Sequence, residues 1–256
     1  SAATERRLGH RRDGRLMAGT SSDADVVVLE IGDDGVAVVS LHRPEALNIY
    51  NLDMRDALIE TFAAVRDHPE ARVLLLRAAG KHFSAGADLV EFGTAETIFE
   101  ARRIRRDRDP WMPLWELPQP TIAALHGYAL GAGLEMALLC DIRLGSTDTK
   151  VGLPETKLGM LPSAGGTQSL ARAIGRSAAL PLVLGAHTID AAHARRVGIL
   201  HQVVEDVEAE SRSLAAHIAA LPPSATEAVK RAVRQGLDGT LANGLALERV
   251  LAEAIN

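Results

Sequence analysis

Short apolar segments alternate with helical patterns along much of the chain, and this alternation restricts the fold more than any other feature. Two β-branched runs at 26–31 and 36–42 are joined by a glycine-containing loop, which predicts a hairpin. Apolar residues at 52–65 recur at helical spacing, and the apolar runs at 72–77 and 121–127 are typical of buried strands. Strands and helices that follow one another in this way predict an α/β core.

After the first part of the chain the pattern becomes mostly helical. A helix at 133–139 and strands at 141–146 and 150–153 close the alternating part, and 94–118 has an irregular helical pattern interrupted by prolines. Later helices are predicted at 166–174, 176–184, 190–197, 206–220, 223–236 and 240–254, interrupted by one short strand at 201–205. We therefore expect an α/β core followed by a helical C-terminal region.

Composition narrows the classes of function. The net charge of −5 and the 3% of aromatic residues argue against nucleic acid and anionic membranes as partners. The single cysteine, Cys140, excludes an internal disulfide and favours a reducing compartment, which we take to be the cytoplasm. The histidines have no metal-ligand spacing, so we expect no metal site. Residues 1–25 are rich in arginine without apolar periodicity and are expected to be an unstructured extension.

Two glutamates carry the strongest chemical signal. Glu135 lies in GYALGAGLEMALLCD (127–141), and Glu155 lies in VGLPETKLGMLPSAGGTQ (151–168). A further small-residue turn occurs in FSAGADL (83–89). Small residues before a helix let a ligand approach unpaired backbone N–H groups, which can stabilise a developing oxyanion. Two carboxyls in one small volume repel each other, and this tends to raise the pKa of one of them. We expect a site with a proton donor and a proton acceptor.

Taken in order, these segments resemble the enoyl-CoA hydratase/isomerase (crotonase) superfamily. The resemblance covers about residues 26–205, through HRPEALN (42–48), KHFSAGADLVEF (81–92), PQPTIAALHGYALGAGLEMALLCDIR (118–143), VGLPETKLGMLPSAGGTQSLARAIG (151–175) and LGAHTIDAAHARRVGI (184–199). It implies a crotonase-like spiral of ββα units at 26–190. It also implies a mainly helical region at 191–256 that assembles the chain into a homotrimer or a hexamer.

The resemblance also implies roles for individual residues. The backbone amides of Ala87 and Ala132 would form an oxyanion hole for a thioester carbonyl. Glu135 would hold and activate a water molecule, and Glu155 would exchange the proton at the α carbon. Ala46, Leu47 and Ala85 would line the path of the CoA moiety through main-chain contacts. Further substrate contacts are expected at Gly86, Asp88, Leu89, Gly131, Pro154 and Ser163. The substrate would be an acyl-CoA thioester, with no cofactor beyond the coenzyme A that it carries.

Some positions depart from the family pattern. Ser163 stands where hydratases often have a glycine, which leaves the water geometry open. Val90 stands where many relatives have a lysine near the CoA phosphates. Trp111, Met112 and Trp115 either border the acyl pocket or pack in the core. The arginine-rich stretch 101–109 is a solvated helix face, a contact to CoA phosphates or a contact to a neighbouring subunit.

The leading hypothesis is a lyase that reversibly adds water in syn geometry to a trans-2-enoyl-CoA to give a 3-hydroxyacyl-CoA. The retention of both glutamates favours this reaction. A second hypothesis is an isomerase or dehydratase of a specialised acyl-CoA, which Ser163 keeps open. A third is a non-catalytic scaffold or RNA-binding relative, against which the intact glutamates and the negative net charge speak.

Overall fold

Two β-sheets organise the computed structural model, which describes residues 25–89, 91 and 108–255, and only the backbone of 16 and 17. The strands are β1 (Leu16–Met17), β2 (Val27–Ile31), β3 (Val36–Leu41), β4 (Val73–Ala78), β5 (Thr121–Leu125), β6 (Tyr128–Leu130), β7 (Ile142–Ser146), β8 (Lys150–Gly152), β9 (Thr188–Asp190) and β10 (Gln202–Val204). The larger sheet has the order β1-β2-β3-β4-β5-β7-β10, and the smaller one has the order β6-β8-β9.

Helices connect and cover the sheets. They are α1 (Leu52–Asp67), α2 (Trp111–Trp115), α3 (Ala132–Leu139), α4 (Gly166–Ile174), α5 (Arg176–Leu184), α6 (Ala191–Val197), α7 (Val207–Ala219), α8 (Pro223–Gly236) and α9 (Leu241–Ile255). Two short 3-10 helices span Pro44–Ala46 and Pro154–Leu158. The larger sheet is parallel from β3 to β10, so its connections cross over through helices.

The N-terminal hairpin and the first helix confirm the sequence prediction. Strand β2 pairs antiparallel with β3, and Gly35 in the turn between them has a φ of 81°, a conformation that favours glycine. Helix α1 begins after Asn51, whose side chain accepts a hydrogen bond from the Met54 amide at 3.0 Å. Its apolar stripe, which includes Leu58 and Phe62, is fully buried against the sheet.

The larger sheet is covered on both faces. One face contributes alternate residues such as Leu74 and Leu76 to the main core, which also holds α1 and α3. The other face contributes Val73 and Leu75 to a second cluster, closed by Ala215 of α7. Because both faces are buried, the sequences of β4 and β5 are continuous apolar runs and do not alternate between apolar and polar residues. Among the described residues, no helix is both long and apolar enough to cross a bilayer.

The C-terminal helices are attached to the core through Asp141. Its carboxylate lies 2.9 Å from Nζ of Lys230 and 2.7 Å from Nη2 of Arg234, both on α8. The same carboxylate accepts hydrogen bonds from the amide and hydroxyl of Thr121. Arg234 also stacks on the Trp115 ring, with 4.0 Å from its guanidinium carbon to the ring centroid. Asp141 therefore has a structural role, because it joins Thr121 of β5 to helix α8.

Two details of the sequence prediction were wrong. Tyr128–Leu130 forms strand β6 rather than a simple turn, and Thr188–Asp190 adds a second strand to the C-terminal part. Both strands are three residues long, and each forms by pairing with β8, which lies elsewhere in the sequence. Local periodicity therefore gives no signal for them. Predictions for 94–107 and for most of 1–25 lie outside the described residues, although Leu16–Met17 pairs with β2.

Candidate active site

Two glycine turns from separate parts of the chain meet beside the start of α3. The Leu130 amide donates to the Ser84 carbonyl at 3.0 Å, which joins the end of β6 to the loop that contains Gly86. Gly131 has a φ of 49°, and a Cβ placed on it would lie 3.6 Å from Cα of Gly86 and 2.7 Å from Oε1 of Glu155. Only glycine fits at Gly131 without strain, because its backbone is in the left-handed region and its Cα faces a carboxylate.

The residues after these glycines, Ala87 and Ala132, present unpaired amides. Tyr50 bonds to both neighbours of Ala87, since its amide donates to Gly86 and its carbonyl accepts from Asp88, both at 2.8 Å. Ala132 is the first residue of α3, where a backbone N–H has no acceptor within the helix. Neither the Ala87 amide nor the Ala132 amide has a hydrogen-bond partner within the described part of the chain. Both residues line the same cavity.

This cavity has a volume of about 390 Å³ and combines the two acids, the two amides and apolar side chains. Its walls are formed by Tyr50, Ala87, Leu89, Arg108, Pro110, Trp111, Ala132, Glu135, Glu155, Gly159, Met160, Leu161, Ser163 and Ala164. Concave apolar sites with a few converging polar groups are typical of small-molecule binding. A larger cavity of about 810 Å³ lies elsewhere, around His42, Arg77 and Glu208, and contains neither glutamate.

Glu135 is buried and held in place by two amides. Its side chain is only 3% exposed, and its Oε1 accepts hydrogen bonds from the amides of Ala164 at 2.9 Å and Gly166 at 2.8 Å. Burial raises the pKa of Glu135 to about 7, the Gly166 and Ala164 amides partly offset this rise, and the charge of Glu155 adds to it. Glu135 therefore titrates in the pH range where it can serve as a base or an acid.

Glu155 lies in the first turn of the 3-10 helix Pro154–Leu158 and faces the same cavity. Burial raises its pKa above the ordinary value. Its Oε2 is buried and accepts no hydrogen bond from any described residue. A buried acceptor without a partner costs free energy, so such atoms in folded proteins call for an explanation such as a catalytic role. Glu155 is thus a second carboxyl of the cavity with an oxygen free to donate or accept a proton.

The cavity brings together six of the residues singled out from the sequence: Ala87, Leu89, Ala132, Glu135, Glu155 and Ser163. Gly86, Gly131 and Pro154 lie next to them in the chain but are not wall residues. Asp88 accepts a hydrogen bond from the Glu91 amide at 3.4 Å, consistent with a capping residue. Ala46, Leu47 and Ala85 lie outside this cavity, where the Ala85 amide donates to the Leu47 carbonyl at 3.0 Å. Val90 lies outside the described residues.

Sequence reasoning missed several wall residues. Tyr50 and Pro110 lie outside the family segments quoted above. Residues 159–161 and Ala164 lie within the segment 151–175 but were not singled out, and Arg108 was singled out only as part of the stretch 101–109. Ala164 and Gly166 donate their amides to Glu135. Of the three uncertain residues before β5, Trp111 lines the cavity and packs against Tyr50 with 5.0 Å between ring centroids. Met112 and Trp115 do not line it. Proximity in space, rather than a local pattern, selects these residues, so a single sequence gives little signal for them.

The comparisons with known proteins agree with this geometry. The family model for enoyl-CoA hydratase/isomerase matches residues 32–256. The chain is 38% identical over 228 residues to the probable enoyl-CoA hydratase echA8 of Mycobacterium leprae, which covers 88% of this chain and 87% of that protein. It is 39% identical over 228 residues to the (E)-benzylidenesuccinyl-CoA hydratase of Thauera aromatica, covering 88% of each.

The similarity extends to three-dimensional structure. A crystal structure of an enoyl-CoA hydratase from Bacillus anthracis superposes with a TM-score of 0.83 at 33% sequence identity, and the match covers 89% of this chain and 90% of that one. The sequence motifs, the two mixed sheets with C-terminal helices and the family match all lead to the same assignment. The chain belongs to the enoyl-CoA hydratase/isomerase (crotonase) family.

Proposed function

We propose that the protein is an enoyl-CoA hydratase that reversibly adds water to the double bond of a trans-2-enoyl-CoA to give a 3-hydroxyacyl-CoA. The observation that carries this proposal is the pair of acids on one cavity wall: Glu135, fixed by two amides, and Glu155, with a buried unpartnered oxygen. Hydration needs one group to take a proton from water and another to give a proton to carbon. The cavity holds two carboxyls suited to these tasks.

The amides of Ala87 and Ala132 would hold the thioester oxygen. When the water oxygen bonds to the β carbon, the electrons of the double bond move towards the carbonyl and leave an enolate-like oxyanion. Two unpaired N–H groups, one of them at the first residue of α3, offer donors where this charge develops. The donors are part of the backbone, so they are in place before the reaction and need little reorganisation.

The two glutamates would divide the proton transfers. Glu135 takes a proton from the water as its oxygen adds to the β carbon, and Glu155 delivers a proton to the α carbon as the enolate collapses. The product gains one water, and the two carboxyls return to their starting states when Glu135 releases its proton to solvent and Glu155 takes one up. Each positioned acid or base typically contributes ~10²–10⁴ in rate. The charge of Glu155 adds to the raised pKa of Glu135, so the titrations of the two carboxyls are coupled.

Incubation with crotonyl-CoA tests the proposal through loss of the conjugated-thioester absorbance. The expected result is turnover by the wild type, with identification of 3-hydroxybutyryl-CoA as product. Absence of hydration with crotonyl-CoA, with medium-length and branched enoyl-CoA substrates and with trans-glutaconyl-CoA would refute the proposal. A non-catalytic scaffold or RNA-binding protein would hydrate none of these substrates, so the assay distinguishes that alternative from a hydratase.

A second candidate is double-bond isomerisation or dehydration of a specialised acyl-CoA. Ser163 lines the cavity and is exposed to it, and its hydroxyl replaces the hydrogen of the glycine common at this position in hydratases. A hydroxyl there could displace the attacking water. Product analysis with a 3-enoyl-CoA distinguishes an isomerase from a hydratase. A 2-enoyl-CoA product without further hydration would favour isomerisation.

The C-terminal helices are proposed to mediate assembly into a trimer or a hexamer. Apolar side chains on α8 and near the start of α9 are exposed in the single chain, including Val233 at 57% and Leu237 at 82%. Exposed apolar surface of this kind is typical of protein contacts. Light scattering coupled to size exclusion tests the proposal, and a monomeric mass across the micromolar range would contradict it.

A further inference from the structure

Arg108 gives the cavity that holds Glu135 and Glu155 a positive charge. We propose that the acyl group of the substrate carries a carboxylate that pairs with Arg108, so that the substrate is the CoA thioester of an unsaturated dicarboxylic acid. This inference rests on the proposed hydration of an enoyl-CoA and specifies its substrate class. Arg108 is the one cationic residue among the described residues that line the cavity.

The guanidinium of Arg108 is only partly engaged by the protein. Its Nε lies 3.2 Å from Oδ1 of Asp56, and its two terminal nitrogens have no partner within the described part of the chain. The side chain is 49% exposed, so these nitrogens can meet a ligand. Arginine presents its N–H groups in a planar fork that matches the two oxygens of a carboxylate.

The two acidic residues beside Arg108, Asp56 and Asp109, already have other partners in the protein. Oδ1 of Asp56 is shared, because Nε of Arg55 lies 2.8 Å from the same oxygen that Arg108 contacts. Asp109, the next residue, accepts a hydrogen bond from the Trp111 amide at 2.9 Å at the start of α2. The Asp56 carboxylate thus pairs with two guanidinium groups, and the Asp109 carboxylate accepts a backbone hydrogen bond. Arg108 can therefore take a further anionic partner.

A purely hydrocarbon acyl group would fit this wall less well. The rest of the acyl side is apolar or aromatic, with Leu89, Trp111, Met160 and Leu161. A hydrocarbon chain that filled the cavity would remove water from the terminal nitrogens of Arg108 and offer no acceptor in its place, which is unfavourable for a charged group. A carboxylate at the end of the chain replaces that water with a charge-assisted hydrogen bond.

The CoA phosphates are the other possible source of an anion. The segment assigned to the CoA path by the family resemblance contains Leu47 and Ala85, which hydrogen-bond to each other outside this cavity. Arg108 instead shares its cavity with the two glutamates and with the Tyr50–Trp111 ring pair. Its place among these residues favours the acyl group as the partner, and the experiment below separates the two sources.

Binding of two saturated, unreactive thioesters tests the inference without turnover. Glutaryl-CoA is butyryl-CoA with a carboxylate added to its terminal carbon, so the ratio of their dissociation constants isolates that group. Titration calorimetry on the wild type should give about tenfold tighter binding of glutaryl-CoA. R108Q should reduce this ratio to about one, and R108K should give an intermediate ratio because it keeps the charge but loses the fork.

A matched arginine serves as the control. Arg66 lies on the exposed surface of α1, paired with Asp67, and R66Q should leave the binding ratio as in the wild type. Glutaryl-CoA that binds no tighter than butyryl-CoA to the wild type would overturn the inference. An R108Q variant that weakens both thioesters equally would also overturn it, because that result assigns Arg108 to the CoA phosphates.

Turnover separates this inference from the hydratase proposal. With trans-glutaconyl-CoA, crotonyl-CoA and trans-2-hexenoyl-CoA as substrates, kcat/KM should be highest for glutaconyl-CoA, and R108Q should lower its advantage over the two neutral substrates about tenfold. Hydration of the neutral substrates with slower hydration of glutaconyl-CoA would contradict the inference and leave the hydratase proposal intact. Hydration of none of the three would refute the hydratase proposal, while the calorimetric ratio would still report on Arg108.

Discussion

Burial and hydrogen bonding act on the carboxyl of Glu135 in opposite directions, and burial is the larger effect. Its pKa is raised from 4.5 to about 7, so the folded protein binds this proton more tightly than the unfolded chain does. For an acid with a raised pKa, the free energy of unfolding decreases as the pH rises from the unfolded pKa to the folded one. Above about pH 7 the loss is complete.

E135Q should therefore gain stability relative to the wild type as the pH rises. The difference in unfolding free energy, E135Q minus wild type, should increase by roughly 3 kcal/mol between pH 4 and pH 9, since each pKa unit corresponds to about 1.4 kcal/mol. Urea denaturation at a series of pH values measures this difference. A difference that does not change with pH would show that Glu135 keeps its ordinary pKa in the folded protein.

The amide of Ala132 can be removed without changing the register of α3. Proline is tolerated at the first position of a helix because the N–H there has no acceptor within the helix. A132P should lower kcat by ~10²–10³, the typical effect of losing one oxyanion donor. Circular dichroism and the melting temperature serve as folding controls, and a folded A132P enzyme with wild-type kcat would exclude this amide from the oxyanion hole.

The sequence locates the acids and the amide-bearing turns, because each sits in a local motif with small residues and a helix start. It does not locate Tyr50, and it gives Arg108 only as one of several arginines in 101–109 without assigning it to this cavity. The two residues reach the cavity from the end of a loop and from the segment before α2. The unpartnered oxygen of Glu155 is likewise a property of packing. Motifs identify the groups that react, and the three-dimensional structure identifies the walls around them.

At the scale of the element, the start of α4 positions the carboxyl of Glu135, because the Gly166 amide donates to it. A Cβ on Gly166 would lie 2.7 Å from Oε1 and 2.9 Å from Cγ of Glu135, so the side chain would have to move. G166A should lower kcat about 10²-fold, because displacement of a reacting group by about 1 Å has effects of this size. Steady-state kinetics with crotonyl-CoA measures the change.

G239A is the matched control for G166A. A Cβ on Gly239 would have its nearest neighbour at 3.5 Å, an ordinary contact, and Gly239 lies far from the cavity in the sequence. Its kcat should equal that of the wild type. Equal kcat values for G166A and G239A would show that the position of Glu135 does not depend on the close approach of Gly166.

The elements themselves show what local patterns encode. Helices α4, α5 and α8 have the boundaries predicted from periodicity, because the residues that mark their ends, such as Gly175 and Pro223, belong to the local sequence. Strands β6 and β9 escape prediction because they exist only by pairing with β8. Pro113 was expected to interrupt the helical pattern, yet it lies inside α2, in the first turn, where a proline removes no helical hydrogen bond.

At the scale of the whole molecule, Asp141 joins the C-terminal helices to the core beneath α3. D141N should lower the free energy of unfolding by about 3 kcal/mol, because Lys230 and Arg234, 8% and 15% exposed, would lose their shared counter-charge. Guanidinium denaturation measures the loss. The control D67N removes an exposed carboxylate paired with Arg66 and should unfold like the wild type. Equal midpoints for D141N and the wild type would contradict this role.

The two-carboxyl mechanism is tested most directly by the product formed from crotonyl-CoA in D₂O. Proton and carbon NMR of the wild-type product should show a hydroxyl on C3 and a deuteron on C2, as expected if water adds across the double bond. E135Q and E155Q should each form this product ~10²–10⁴ more slowly while remaining folded. A product with a shifted double bond and no hydroxyl, or wild-type rates in both variants, would contradict the account.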